Sequence, residues 1–260
     1  MKKSKVKIFR FDPSIDFAPR YEVYEVPYEE GDRVLDILKY IREELGVDVA
    51  FRYACRSRFC GTCGVSVNGK PILACWEEAL SKMIIEPLPH FPIIKDLVVD
   101  RSFYDELIHK VYPNLIKEVK EEQKLEDVNM NFLEKIEPSK MNDVIYFQQC
   151  LECMLCIAAC RTISSDLNYI GPVSLMAAYR ACADPRDKGK ELRLKLLDNK
   201  NACWRCHYVL SCADVCPMGL FPPYAISQLR NMIILSRLKN IRLKIIKLMD
   251  GLRFKKSYVQ

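Results

Sequence analysis

Hydrophobic and polar residues alternate from the start of the chain. Val6 and Ile8 stand between Lys5 and Lys7, and residues 4–11 and 20–27 read as two strands joined by a proline-containing turn. Over 32–45 the period lengthens: Val34, Ile37, Leu38, Ile41 and Leu45 share one face of a helix that stops before Gly46. Val47–Phe51 and Val65–Val67 read as short strands. Asn68-Gly69 predicts a hairpin whose return strand is Pro71–Cys75, and Met83–Glu86 adds another strand. Together these predict an α+β domain over residues 1–106. Residues 117–140 carry seven acids and five bases among few aromatics, which predicts a charged, partly helical connector over 107–142. Beyond it strand patterns nearly vanish. Gly171-Pro172 opens a helix through Ser174–Ala183, another runs near Lys190–Leu197, and Pro222-Pro223 precedes a long helix. A helical domain over 143–232 is therefore expected, followed by a basic amphipathic helix over 233–260. Along 224–249 that helix spaces Ile226, Leu229, Ile233, Leu238, Ile241, Ile245 and Leu248 among Arg and Lys.

The cysteines change the picture most. Of 13, eleven fall into three spaced groups. Cys55, Cys60, Cys63 and Cys75 have the plant-type spacing for a [2Fe–2S] cluster, in a loop whose Gly61 and Gly64 would let backbone N–H groups turn toward the sulfurs. Cys150-x2-Cys153-x2-Cys156-x3-Cys160 is the bacterial ferredoxin run, whose fourth cysteine serves the neighbouring cluster. That crossover pairs Cys150, Cys153 and Cys156 with the distant Cys216-Pro217 in a [4Fe–4S] site. Cys160 then joins Cys206 and Cys212. Val209 stands where the ferredoxin pattern would place a further cysteine, which suits a [3Fe–4S] cluster. The alternative draws in Cys203 to make a second [4Fe–4S] site. Cys182, inside a helical stretch, reads as a small buried hydrophobe. Zinc accepts four cysteines too, but its sites usually use two close pairs, and the first group lacks the second pair. His90 and His109 lie away from the cysteines and read as ordinary surface or packed histidines.

Composition narrows the setting. An odd, clustered cysteine count argues against a secreted disulfide framework. The Lys-rich start has no apolar core of a secretory signal, and no run approaches the ~20 apolar residues that span a bilayer. The net charge of +6 is uneven: Arg230 to Lys256 holds nine bases against Asp250, so the rest of the chain is slightly acidic. Docking of that helix at a membrane anchor or at anionic lipid is one reading, and a helix packed on its own domain is the other. Nucleic acid has no binding module here to support it.

The chain resembles the iron–sulfur subunit of succinate dehydrogenase and fumarate reductase from about residue 5 to 232. The likeness rests on Phe11-Asp12-Pro13, Phe51 through Cys60-Gly61, Ile85-Glu86-Pro87-Leu88-Pro89, Ile94 through Asp100, Tyr169-Ile170-Gly171-Pro172, Ala178-Tyr179-Arg180, Asp184 through Asp187, Arg205-Cys206-His207 and Cys216 through Leu220. It implies a β-grasp [2Fe–2S] domain followed by a bacterial-ferredoxin-like domain with two cubane-type clusters. A partner flavoprotein would hold FAD and interconvert succinate and fumarate. This chain would pass electrons singly through [2Fe–2S], [4Fe–4S] and [3Fe–4S] to a quinone at membrane anchor subunits, peripherally on the cytoplasmic face of the cell membrane or the matrix face of an equivalent one. By the same resemblance His207 lies near the quinone, with Trp204 and Arg205 beside it. The chain departs from the family after Cys160: Arg161 replaces the usual proline, and Ser164-Ser165 replaces the usual tryptophan pair. A menaquinone-like acceptor, an unusual anchor or a soluble acceptor are the alternatives that this opens, as is an adaptor role for a soluble dehydrogenase or heterodisulfide-type reductase.

Overall fold

The computed structural model describes residues 2–117 and 136–256, the backbone alone beyond 242. The middle of the expected connector therefore lies outside the described residues.

Strand β1 (Lys2–Arg10) buries Ser4, Val6, Ile8 and Arg10 in strict alternation, as its period of two requires. It pairs antiparallel with β2 (Arg20–Tyr28) and parallel with β5 (Lys82–Glu86). The hairpin of β3 (Gly64–Val67) and β4 (Lys70–Leu73) completes a five-stranded sheet in the order β2-β1-β5-β3-β4. Helix α1 (Val34–Glu43) lays Val34, Leu35, Ile37, Leu38 and Ile41 into the core, giving the β-grasp form. Its first amides have no partners within the helix. Val34 N–H donates to Glu77 O (3.0 Å) and Leu35 N–H to Ala74 O (2.8 Å). The helix start thereby pins the chain on both sides of Cys75.

The expected strand Val47–Phe51 does not form. Its backbone groups bond elsewhere: Ala50 N–H donates to Asp96 Oδ2 (2.9 Å), and Leu97 N–H donates to Ala50 O (3.1 Å). Asp96, held by Arg10 Nε–H (3.0 Å) and Phe11 N–H (3.0 Å), is thus the hub of this corner. Three elements fall where no pattern predicted them: β6 (Ile93–Lys95), β7 (Val98–Val99) and α2 (Ser102–Lys110). The two strands are too short to show a period, and α2 buries only Tyr104 and Ile108.

The second half is helical: α3 (Asn142–Gln148), α4 (Leu155–Ala158), α5 (Arg161–Ser165), α6 (Gly171–Ala183), α7 (Lys190–Leu197), α8 (Ser211–Asp214) and α9 (Pro222–Lys256). Helix α6 is buried almost all round, which is why its sequence shows no polar face. The buried side chains of both halves form one continuous core. Arg193 and Asp187 are fully buried and paired at 2.6 Å; Arg193 also donates to Tyr112 O and Asn114 O, and Asp187 accepts from Ile116 N–H. This ion pair ties the chain leaving the first half to the helices of the second.

Candidate cofactor sites

The first cysteine loop is built by left-handed residues. Arg56 (φ 58°) and Arg58 (φ 55°) stand at alternate positions in it, and the loop turns successive N–H groups toward two of its thiols. Three of those groups reach Cys55 Sγ: Ser57 N–H at 3.4 Å, Phe59 N–H at 3.2 Å and Cys60 N–H at 3.2 Å. Arg58 N–H donates to Cys75 Sγ at 3.4 Å. Donation from Ser57, then Phe59, pulls the Cys55 thiol down to about 6, whereas burial pushes Cys63 up to about 12. The four thiols neighbour one another in the order Cys55, Cys60, Cys63, Cys75. The inward N–H groups are therefore those of Ser57, Arg58, Phe59 and Cys60, in the stretch that the left-handed Arg56 and Arg58 shape, and not those of glycine.

Gly61 does something else. A Cβ placed on it would stand 2.9 Å from Leu151 O and 3.0 Å from Cys153 Cβ, and its φ is +70°. The bare glycine lets the first cysteine loop press directly on the second.

In the helical half the cysteines separate into two cavities. One is lined by Cys150, Cys153, Cys156 and Cys216 with Met154, Val173, Pro217 and Leu220, and the other by Cys160, Cys206 and Cys212 with Val209, Thr162 and Tyr169. Each again uses left-handed residues between its cysteines: Glu152 and Met154 in the first, Tyr208 and Leu210 in the second. Met154 and Leu210 directly precede the one-turn helices α4 and α8. Leu220 N–H donates to Cys216 Sγ (3.3 Å) and Tyr208 N–H to Cys206 Sγ (3.4 Å). Burial pushes Cys150 to about 11 and Cys153 and Cys212 to about 12. Thiols raised in this way lose their protons only when a cation replaces them on sulfur, so loading iron would release the protons to solvent. The thiols ring their cavities; among the described residues no three His, Cys, Asp or Glu side chains converge where one ion would sit. Cys156 and Cys212 are neighbours across the two cavities.

Cys203 belongs to neither cavity. It is buried beside Cys182 and Arg230, and the Arg230 guanidinium donates to its carbonyl at 2.9 and 2.7 Å. Val209 does line the second cavity, and it is 56% exposed, so this cavity is open to the surface at the position without a thiol.

Around that opening His207, Leu210 and Arg161 are exposed. Arg205 pairs with Asp166 (2.8 Å), and its buried Nε has no partner. Trp204 Nε1–H donates to Asp198 (2.8 Å). Two residues escaped the sequence reading. Tyr169 is buried with its hydroxyl against Cys206, the burial and the neighbouring thiols raising it far above its usual range; its place in Tyr169-Ile170-Gly171-Pro172 was the available signal. His90 is half-buried with Nε2 3.1 Å from Ser164 Oγ, and Ser164 Oγ–H reaches Cys160 O (3.3 Å). It is neither a surface nor a merely packed histidine but a link between the two halves.

Comparison with known proteins agrees with this layout. A model described as "2Fe-2S iron-sulfur cluster binding domain" matches residues 5–106, and one described as "4Fe-4S dicluster domain" matches 146–220. The fumarate reductase iron-sulfur subunit of Escherichia coli O6:H1 is 36% identical over 231 residues, covering 88% of this chain and 92% of that protein. The chain belongs to the iron–sulfur subunits of fumarate reductase and succinate dehydrogenase. Within this family the succinate dehydrogenase iron-sulfur subunit of Paracoccus denitrificans is 34% identical over 236 residues, with 88% of each chain covered. The same fold recurs in a chain of the Mycobacterium smegmatis Sdh1 complex in the apo form, with a TM-score of 0.77, 22% identity, and 91% of this chain and 98% of that one covered.

Proposed function

We propose that this subunit conducts electrons between the FAD of a flavoprotein partner and a quinone at a membrane anchor. Cys55, Cys60, Cys63 and Cys75 would hold [2Fe–2S]; Cys150, Cys153, Cys156 and Cys216 would hold [4Fe–4S]; Cys160, Cys206 and Cys212 would hold [3Fe–4S]. When bound, the clusters supply one-electron oxidation and reduction.

The protein's share is spacing, burial and hydrogen bonding. The observation that carries the reading is contiguity: Gly61 seats the first cysteine loop on Cys153 of the second set, and Cys156 neighbours Cys212 of the third. The first set thus adjoins the second, and the second adjoins the third. The backbone N–H groups on Cys55, Cys75, Cys206 and Cys216 stabilise negative charge at the sulfurs. The exposed edge at Val209, with His207, Arg205 and Trp204, is where a quinone would meet the third site. Arg205 Nε, buried and unpaired, is a donor available to an acceptor there. Among the described residues no helix is long and apolar enough to cross a membrane, so attachment would be peripheral, through the anchor, on the cytoplasmic face.

Electron paramagnetic resonance of the oxidised, purified complex tests the reading. A three-iron signal that vanishes in Cys212→Ser, with the [2Fe–2S] signal intact on reduction, is expected. Protein that holds zinc in place of iron and sulfide, or turnover of succinate that reduces no quinone, would overturn it.

A further inference from the structure

Helix α9 changes its apolar side part-way along. From Tyr224 to Ile233 its buried residues are Ala225, Ile226, Leu229 and Ile233, a stripe that faces the helical domain. The last side chains that hold it there are Ser236, bonded to Glu191 (3.0 Å), and Arg237, bonded to Asp198 (2.7 Å) and lying over the Trp204 ring at 5.5 Å. Beyond them the described residues to 242 are all exposed. Yet the chain does not become polar: Ile234, Leu238 and Ile241 continue the helical spacing, with Leu235 at their edge. At about 100° per residue, this second stripe lies well over 90° around the helix from the first. It therefore faces away from the domain, and Leu235, Leu238 and Ile241 are 65%, 57% and 53% exposed.

Helix α9 runs on to Lys256, and the sequence repeats the same spacing with Ile245, Leu248, Met249 and Leu252. From Lys239 to Lys256 there are seven Lys and Arg against Asp250. Among the described residues nothing covers the described part of this stripe.

We infer that α9 beyond Arg237 is an in-plane membrane helix that lays its apolar stripe into the headgroup boundary of an anionic bilayer. Three observations favour lipid over other occupants. The stripe is narrow and rich in Ile and Leu with basic surroundings, the pattern of a helix lying in the interface rather than across it. Charge complementarity points to anionic headgroups, each base near the surface contributing about fivefold in affinity. A second copy of the helix would bring its own Arg242 and neighbouring bases against the same charges here, which opposes pairing. The stretch also begins beside Trp204, the edge at which the proposed function places the quinone. The lipid inference needs only that the helix be presented, and is independent of the cluster assignments.

The test uses the full chain with its clusters assembled, floated with vesicles of phosphatidylcholine alone or mixed with phosphatidylglycerol, at low and high salt. Binding to the anionic vesicles, weakened by salt, is expected. Leu238→Glu with Ile241→Glu should lower it about tenfold or more, and Lys239→Gln with Arg242→Gln about 25-fold at fivefold per charge. These side chains are exposed, so the visible spectrum and helix content should match wild type in both variants. Equal binding to both vesicle types, or unchanged binding by either variant, overturns the inference. So does an absence of vesicle binding accompanied by loss, in the same variants, of self-association or of binding to the purified anchor. Because flotation reads no electron transfer, its failure is distinct from failure of the proposed function.

Discussion

Replacing Gly61 by alanine should strain the junction between the first and second cysteine loops. The added methyl would stand 2.9 Å from Leu151 O and 3.0 Å from Cys153 Cβ, whereas carbon atoms pack at about 3.5–4.0 Å. One loop must therefore retreat by about half an ångström, and neither neighbour is a flexible side-chain end. Overpacking of this kind costs about 1–3 kcal/mol. A left-handed φ of +70° at a residue with a Cβ adds about 1–2 kcal/mol. The sum, about 2–5 kcal/mol, corresponds to a fall in melting temperature of about 4–20 °C for a chain of this size. Gly46 provides the control. Its φ is +66° and a Cβ there would meet nothing within 4 Å, so Gly46→Ala carries only the backbone cost.

Thermal unfolding of both variants with clusters loaded separates contact from conformation. A second readout follows from the same geometry: reduction of the third site through the first two should slow in Gly61→Ala and not in Gly46→Ala, because only the former moves one cysteine loop from the other. Equal melting temperatures in the two variants would refute the claim that Gly61 is there for close approach. Unequal melting with unchanged transfer would refute the claim that this contact sets the path.

Arg193→Met should lower stability by about 3–5 kcal/mol in denaturant unfolding, since it strands the fully buried Asp187 carboxylate. Adding Asp187→Leu should recover only part of that loss, because Asp187 also accepts Ile116 N–H and Gly189 N–H. Val209→Cys places a thiol in the cavity that Cys160, Cys206 and Cys212 line; the three-iron paramagnetic signal should give way to a second four-iron one, and its persistence would count against the cavity as drawn. Burial lowers the His90 pKa below its ordinary 6.5, so the folded chain keeps it neutral while the unfolded chain takes up the proton first. Its contribution to stability is present above about pH 6.5 and is lost as the pH falls from there through the folded value. The melting temperature should accordingly drop less in His90→Asn than in wild type between neutral and mildly acidic pH, and parallel curves would show that His90 is solvated.

How far the sequence could be read depended on whether the cause of each feature was local. The first two strands and α1 follow from alternation and from one apolar face, and the structure has them within two residues. Val47–Phe51 looks no different from a strand by composition, but its amide and carbonyl partners are on Asp96 and Leu97, so no window around it could reveal that it is a braced loop. Cysteine spacing suggested three groups because each loop is short enough to be read whole. Spacing left Cys203 outside the third group, with its inclusion as the alternative; what holds it there, Arg230 from a helix that begins after the last cysteine, was not readable. The glycine argument named a real geometry but the wrong bearers. Left-handed backbone at Arg56, Arg58, Glu152, Met154, Tyr208 and Leu210 leaves no mark in residue type, because those side chains do not favour it. Such conformations persist only where the surroundings over-determine them, and here six of them recur between thiols. The strain therefore sits where inward N–H groups would neutralise sulfur charge, and it marks the cofactor sites more sharply than any glycine does.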